Sequence, residues 1–213
     1  MATDRLTEVL DATYDCLARY GVRRTTMDDI ASTMGVSRSA VYQYVNSKDD
    51  AFRRLAERLH TEAIVRARQA AAADAPYDER VRGVLDAKLR LVLRLTGDSP
   101  HTAELMDAKA RLFGDICHGF TAELRGLLTR LFTEADSRPG ASGRTALPPA
   151  DAADVCLALV TGLESVTDGA RLLGPGADAL LAGLLGETTS PTRPVGSAGG
   201  RQSGPVPGRS GVN

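Results

Sequence analysis

Apolar residues recur at helical spacing along most of this chain, and no stretch alternates strictly between apolar and polar positions as a half-buried strand would. The clearest stripe consists of Phe113, Ile116, Cys117, Phe120, Leu124, Leu127, Leu128 and Leu131. Similar stripes predict helices over residues 6–20, 47–73, 76–95, 151–160 and 177–185. The sequence therefore predicts an all-α fold.

A short segment near the N-terminus has the pattern of two short helices joined by a turn. Thr26 can cap the first helix, and Asp29, three residues later, completes a loose capping box. Gly35 can adopt the left-handed conformation that ends this helix, and Ser37 can cap a second helix that runs to about Val45. The pattern is that of a helix-turn-helix.

The second helix of this pair has a polar face on the side opposite its apolar positions. In a DNA major groove, Arg38 could donate two hydrogen bonds to guanine and Gln43 could pair with adenine. Ser39 could serve either base, and Ala40 could contact the methyl group of thymine. Donors suited to phosphate groups lie at the edges of this face: Thr26, Ser37, Tyr42, Tyr44 and Lys48.

At these intervals, the N-terminal residues resemble the DNA-binding domain of the tetracycline-repressor (TetR/AcrR) family. The resemblance rests on Gly21, Thr25-Thr26, Ile30-Ala31, Gly35-Val36-Ser37, Val41-Tyr42 and Ser47-Lys48. Tyr44, Val45 and Thr13 stand where the family often has His, Phe and Ala. The resemblance covers only the first fifty to sixty residues or so. It implies pairing through the last helices and an effector cavity enclosed by the middle ones.

The charge pattern places a positive field near the helix-turn-helix only. The whole chain carries a net charge of −1, whereas residues 19–48 contain five basic and two acidic residues. This is a local basic patch rather than the basic coat of a nonspecific nucleic-acid binder. On the helix predicted after it, Arg53, Arg54 and Arg58 are expected to form a solvated face.

Composition favours a cytoplasmic protein without a cofactor. There is no signal peptide, and no apolar run approaches the ~20 residues that a membrane-spanning helix needs. Cys16, Cys117 and Cys156 are far apart and lie on apolar helical faces, so they are expected to be reduced thiols in the core. His101 and Glu104, one turn apart, lack a second pair that would complete a metal site, so no metal is expected.

Three regions can be delimited along the chain. Residues 1–61 are predicted to be the DNA-binding domain, and residues 62–187 a helical domain for effector binding and dimerisation. Residues 188–213 are rich in Pro, Gly, Ser and Arg with almost nothing to bury, so they are expected to be disordered. The candidate walls of the effector pocket are apolar residues of the middle helices: Leu89, Val92, Met106, Phe113, Cys117 and Phe120.

The helix after residue 151 is apolar all round over residues 155–160, which indicates that it is covered on all sides. In a chain of this length, part of the cover could come from a second copy. Together with the last apolar stripe, this helix would make a four-helix interface between two chains. The candidate interface residues are Val155, Leu159, Gly162, Leu181 and Leu184.

These features predict a homodimeric transcriptional repressor that binds a palindromic operator in double-stranded DNA and is released by a small-molecule effector. One alternative is a dimeric DNA-binding regulator whose body is a scaffold for partner proteins and has no sensor. Another is a helical ligand carrier or enzyme. No catalytic residues are predicted, because the sequence has no nucleophile and base motif, phosphate-binding Gly loop or paired carboxylates.

Overall fold

The structure is a computed structural model that describes residues 2–96, 101–137 and 146–185. Within these ranges the chain forms helices and no strand, so the predicted all-α fold is confirmed. The helices are α1 (Ala2–Arg24), α2 (Met27–Met34), α3 (Arg38–Val41), α4 (Lys48–Ala71), α5 (Tyr77–Thr96), α6 (Thr102–Asp136), α7 (Pro149–Leu163) and α8 (Gly169–Leu184). None of the helices in the described ranges combines the length and apolar character needed to cross a membrane.

Two apolar cores share the helix α4. The smaller core joins α1, α2, α3 and the start of α4, and it includes Val9, Ile30, Val41 and Ala51. The larger core lies among α4 to α8 and also receives the other side of α1. Because α4 is continuous from Lys48 to Ala71, the boundary predicted at residue 61 falls inside a helix. The division into domains remains a prediction, and the tail 188–213 lies outside the described residues.

Helix α1 passes close to the start of α6 at Gly21. The predicted stop at this residue corresponds to a kink, with φ 77° and ψ 172°, after which α1 continues to Arg24. A Cβ atom at this position would lie 2.6 Å from Oε2 of Glu104 and 2.8 Å from the ring of His101. Only glycine meets both demands, a positive φ and this close approach.

The helix α6 runs from Thr102 to Asp136 with a kink at Phe113, whose angles are non-helical, with φ −151° and ψ 28°. The kink lies at the residue where the clearest apolar stripe begins. The last helix is longer than the predicted segment 177–185, because α8 begins at Gly169 and contains Pro175. Proline has no N–H to donate, so α8 lacks one backbone hydrogen bond there and still continues.

The expected solvated face of α4 is instead a set of bridges to other helices. Arg53 forms hydrogen bonds to both carboxylate oxygens of Asp115 on α6, at 2.9 and 2.6 Å. Arg58 bonds to Asp11 of α1 at 2.7 Å, and its side chain is only 20% exposed. Arg54 bonds to Asp50 one turn earlier. The expectation was wrong for Arg53 and Arg58 because their partners come from parts of the chain distant in sequence.

Candidate DNA-binding surface and effector cavity

The cap of α2 is the capping box that the sequence predicts. The backbone N–H of Asp29 donates to Oγ1 of Thr26 at 3.2 Å, and the carboxylate of Asp29 accepts from the backbone N–H of Thr26 at 2.8 Å. The Thr26 hydroxyl also donates to this carboxylate at 2.7 Å, and this bond together with the one from the Thr26 backbone N–H lowers the pKa of Asp29. Gly35 ends the helix with φ 67° and ψ 30°, in the left-handed region. The helix α2 is therefore capped at both ends.

The helix α3 is shorter than predicted, because its regular part ends at Val41. Ser37 caps it through Oγ, which accepts from the N–H of Ala40 at 3.3 Å. The chain continues in helix-like turns, in which the N–H groups of Tyr44 and Val45 donate to the carbonyl oxygen of Val41. The predicted outer face therefore survives as a compact turn structure.

On this outer face, Arg38 is held by two neighbours. Its Nη1 donates to Asp28 of α2 at 3.0 Å, and its Nη2 donates to the hydroxyl of Tyr42 at 3.2 Å. The guanidinium also lies over the Tyr42 ring, 5.5 Å from its centre. The bond to Tyr42 and the charge of Asp28 raise the pKa of Arg38. Its side chain is 55% exposed, so the guanidinium remains accessible to a partner.

The other predicted DNA contacts differ in exposure. Ser39 and Gln43 are exposed beside Arg38 and Tyr42, whereas Ala40 is half-buried. Tyr44 is half-buried and packs against the smaller core. Lys48 donates from Nζ to the backbone carbonyl oxygen of Arg23 at 3.2 Å, which joins the start of α4 to the end of α1.

The caps Thr26 and Ser37 are exposed at the same end of the two short helices. The structure brings Arg38 to Tyr42 and Ser37 to Ser39, and the contacts of the predicted residues with DNA remain a prediction.

A cavity of about 50 Å³ lies in the larger core. Its apolar walls are Leu91, Val92, Leu95, Phe113 and Phe120. This volume would hold a few water molecules and is far smaller than the roughly 300–1,000 Å³ of typical small-molecule sites. A larger ligand would therefore require α4, α5, α6 or α7 to move apart.

The cavity also has a polar part that sequence reasoning largely missed. Lys88 of α5 forms an ion pair with Glu164, directly after α7, and also donates to the hydroxyl of Thr161 at 3.4 Å. His60 of α4 lies on another part of the wall, where Nε2 is 3.4 Å from Sγ of Cys117. Neither Lys88 nor His60 is among the predicted pocket residues.

The sequence contains a signal for Lys88 and for His60. Lys88 follows Val84 and Leu85 at helical spacing, and His60 is one turn after Ala56, so both occupy inward-facing positions. A charged or polar residue at such a position must find a partner.

Four of the six predicted pocket residues line this cavity: Val92, Phe113, Cys117 and Phe120. Leu89 is buried in the larger core and does not line it. Met106 has a side chain outside the described residues. His101 and Glu104 are not at the cavity but beside α1, where Glu104 accepts from the backbone N–H of Arg23. Across the described residues, no group of three potential metal ligands is found.

The predicted interface residues fall into two groups. Leu181 and Leu184 are buried within their own chain, with 3% and 5% exposure, and have little surface left to offer a partner. Val155 is 37% exposed, Gly162 is exposed and Leu159 is half-buried. A Cβ atom at Gly162 would meet nothing within 4 Å. The open apolar face is therefore on α7, and the interface itself remains a prediction.

Comparison with known proteins supports the helix-turn-helix assignment. Residues 9–55 match the family model described as bacterial regulatory proteins, tetR family. The match covers α1, α2, α3 and the start of α4, which together enclose the smaller core. The N-terminal domain is thus a TetR-type helix-turn-helix, as its residues indicated. No curated protein matches the chain.

Solved structures resemble the chain over most of its length. A TetR transcription regulator from Haloarcula marismortui is similar with a TM-score of 0.68 and 18% identity, covering 85% of this chain and 98% of that one. A TetR/AcrR-family regulator from Thermobifida fusca gives a TM-score of 0.61 and 23% identity, covering 84% and 98%. The regulator FadR from Bacillus subtilis, in complex with stearoyl-CoA, gives 0.61 and 19%, covering 83% and 98%. At these identities the likeness shows the fold, which is that of TetR/AcrR regulators.

Proposed function

We propose that this chain, which has a TetR-type N-terminal domain and the TetR/AcrR fold, is a homodimeric transcriptional repressor. It binds a palindromic operator through α2 and α3, and a small-molecule effector releases it. The observation that carries the proposal is the outer face of α3 and of the turns after it, where Arg38, Ser39, Tyr42 and Gln43 are exposed. The major groove admits a helix, so donors exposed on such a face can reach base edges.

We call residues 25–48, which form the helix-turn-helix, the reading head. The small size of one reading head favours the pairing of two. A single head contacts only a few bases, so tight and specific binding requires two heads on half-sites fixed by the dimer. The exposed stripe on α7 supports this pairing, because Val155, Ala158, Leu159 and Gly162 follow helical spacing on one face. Such a face lets the α7 helices of two copies approach closely at Gly162.

Effector release is supported by the position of the cavity. His60 of α4 and Phe113 of α6 contribute to its wall, and α4 begins in the smaller core of the reading head. A ligand that separates these helices would therefore shift α4 and with it α3. A structural relative, FadR, has a bound stearoyl-CoA, which is consistent with ligand binding in a body of this fold.

Selection of bound sequences from random double-stranded DNA tests the proposal. The expected result is a palindromic consensus, bound by dimers and released by one or more compounds from a metabolite library. If a consensus is found but no compound shifts DNA affinity, the scaffold alternative without a sensor replaces the repressor with an effector. If no sequence is enriched, the ligand carrier or enzyme alternative remains.

The mutual effect of ligand binding and DNA binding on each other provides a second test of effector release. Ligand and operator must oppose each other through one coupling free energy, commonly ~1–3 kcal/mol, felt equally in both directions. Operator DNA should therefore weaken ligand binding by the factor by which the ligand weakens DNA binding. Unequal factors would show that the compound acts on something other than this equilibrium.

A further inference from the structure

The cavity wall contains a cysteine and a histidine in the arrangement of a nucleophile and its base. Sγ of Cys117 on α6 lies 3.4 Å from Nε2 of His60 on α4, although the two residues are far apart in sequence. Cys117 is half-buried and lines the cavity, so its sulfur borders a space that a small molecule can enter. A thiol beside a histidine base, with the histidine oriented by a third group, is the general pattern of an activated nucleophile.

The hydrogen bonds of His60 determine which of its ring nitrogens can act as the base. Nδ1 lies 2.7 Å from the backbone carbonyl oxygen of Ala56, and a carbonyl oxygen only accepts, so Nδ1 carries the hydrogen of the neutral ring. Nε2 is then the acceptor nitrogen of the neutral ring, and it lies against the thiol of Cys117. The ring is 6% exposed and packs edge-on against Phe120, with 5.2 Å between ring centres and 89° between planes. His60 is therefore held in the orientation and tautomer that accept a proton from sulfur.

The other cysteines have surroundings of a different kind. Cys16 and Cys156 are buried, at 1% and 0% exposure. Burial raises the pKa of Cys16, and it raises the pKa of Cys156 to about 12, so the reactive thiolate is rare at either site. These two thiols fit the expectation of inert core cysteines and serve as internal controls for Cys117.

We propose that Cys117 is a covalent attachment site for small, neutral α,β-unsaturated carbonyl compounds, with His60 as the base. The chemistry of the cavity selects this class. Its walls of Leu91, Val92, Phe113 and Phe120 favour an apolar carbon skeleton, and its volume of about 50 Å³ favours a short one. Among the described residues of the cavity, the charges of Lys88 and Glu164 neutralise each other, which favours a neutral ligand, and the Lys88 ammonium can donate to a carbonyl oxygen.

The reaction is an addition that needs no oxidant or reductant. Nε2 of His60 takes the proton of the Cys117 thiol, and the sulfur forms a bond to the β-carbon of the ligand. The carbon–carbon double bond opens, and its electrons move to the carbonyl oxygen as an enolate. The imidazolium of His60 then returns the proton to the α-carbon. The product is a saturated thioether of Cys117, and the whole ligand is retained.

This inference goes beyond the proposed function, because adduct formation needs neither DNA nor a dimer. The experiment treats the full chain with methyl vinyl ketone and follows intact mass over time, with peptide mapping to assign the modified cysteine. Cys117 should be modified at least about tenfold faster than Cys16 and Cys156, and the Cys117→Ser variant should lose this fast phase. Equal modification of the three cysteines, or no modification of Cys117, would overturn the proposal.

Two variants separate a proton-accepting role of His60 from a structural one. The His60→Gln side chain can still accept a hydrogen bond near Cys117 but cannot take a proton, so the rate should fall at least about tenfold. In His60→Ala, added imidazole should restore part of the lost rate, which a merely structural role would not predict. An unchanged rate in His60→Gln would show that the histidine is not the base. Operator affinity of the modified chain is measured separately, so adduct formation can succeed or fail independently of the repressor assignment.

Discussion

Arg53 of α4 donates a hydrogen bond from Nη1 to the backbone carbonyl oxygen of Leu112 on α6, at 3.1 Å. This carbonyl directly precedes Phe113, where the angles of α6 leave the helical region and the side chain lines the cavity. The same guanidinium binds both carboxylate oxygens of Asp115. Arg53 thus fastens α4, close to the reading head, to the kink that borders the cavity.

The pKa of Asp115 reports directly on this bridge. The hydrogen bond from Arg53 is the largest cause that lowers this pKa to about 2. In Arg53→Gln it should return towards the ordinary value near 3.9. NMR titration of the carboxyl group measures the change, and an unaltered pKa would show that the bridge does not form.

The sign of the effect on stability follows from the lowered pKa. A carboxyl group with a lowered pKa in the folded chain stabilises the fold above its unfolded pKa, and this contribution is lost as the pH falls from about 4 towards 2. The side chain of Asp115 is 67% exposed, so the contribution is small. Asp115→Asn should therefore differ from the parent chain in melting temperature only slightly at pH 7, and the difference should vanish below about pH 2.

Removal of the cap at Thr26 should destabilise the reading head. Thr26→Ala leaves the N–H of Asp29 without its side-chain acceptor, and loss of such a cap costs about 0.5–2 kcal/mol in free energy of unfolding. Thr129→Ala is the matched control, because Thr129 lies inside α6 and its hydroxyl bonds only to the carbonyl oxygen of Arg125 four residues earlier. Chemical denaturation compares the two variants, and equal losses would contradict the capping role.

The open face of α7 gives a clean test of dimerisation. Val155→Glu and Gly162→Arg should produce monomers, because each places a charge on this face without touching the core of its own chain. Val65→Glu is the control, since Val65 on α4 is 45% exposed and lies on a different helix. Light scattering measures the mass of each variant. A dimer that survives both changes would show that the interface lies elsewhere.

Substitution at Leu181 or Leu184 cannot replace this test. Both side chains are buried within the chain, so a glutamate there would unfold the protomer before it reported on pairing.

Replacing one partner of the ion pair at the cavity should destabilise the fold more than replacing both. The side chains of Lys88 and Glu164 are only 10% and 17% exposed, so replacing one of them leaves a mostly buried charge without its partner. Lys88→Met should lower the free energy of unfolding by roughly 3–5 kcal/mol, and the further change Glu164→Leu should recover most of this loss. Urea denaturation measures both steps. A single variant as stable as the parent would show that the pair is solvated in solution.

Local patterns predicted the reading head well because its structure depends on neighbours in sequence. The capping box of Thr26 and Asp29 and the left-handed Gly35 are determined by residues within one or two turns. The contact between Arg38 and Tyr42 could also be predicted, since residues four apart share a helix face. Asp28, the second partner of Arg38, lies on another helix and could not be paired from spacing.

The body of the chain was harder to predict because its contacts are distant in sequence. The bridge of Arg53 to Asp115 and the pair of His60 and Cys117 join α4 to α6 across more than fifty residues. Helical spacing identifies inward positions but does not say which helix faces them. For the same reason, helical spacing placed Leu181 in a buried stripe. It could not show whether the residue is covered by its own chain or by a second copy.

The reading role of Arg38 is the central claim, and operator affinity measures it most directly. On the sequence selected from random DNA, Arg38→Ala should cost about 1–3 kcal/mol in binding free energy and relax the preference at one position in each half-site. Arg90→Ala is the control for lost charge, because Arg90 is an exposed residue of α5 in the body. Its affinity should stay close to that of the parent. If Arg38→Ala binds the operator with the affinity and base preference of the parent chain, α3 does not read DNA through this face.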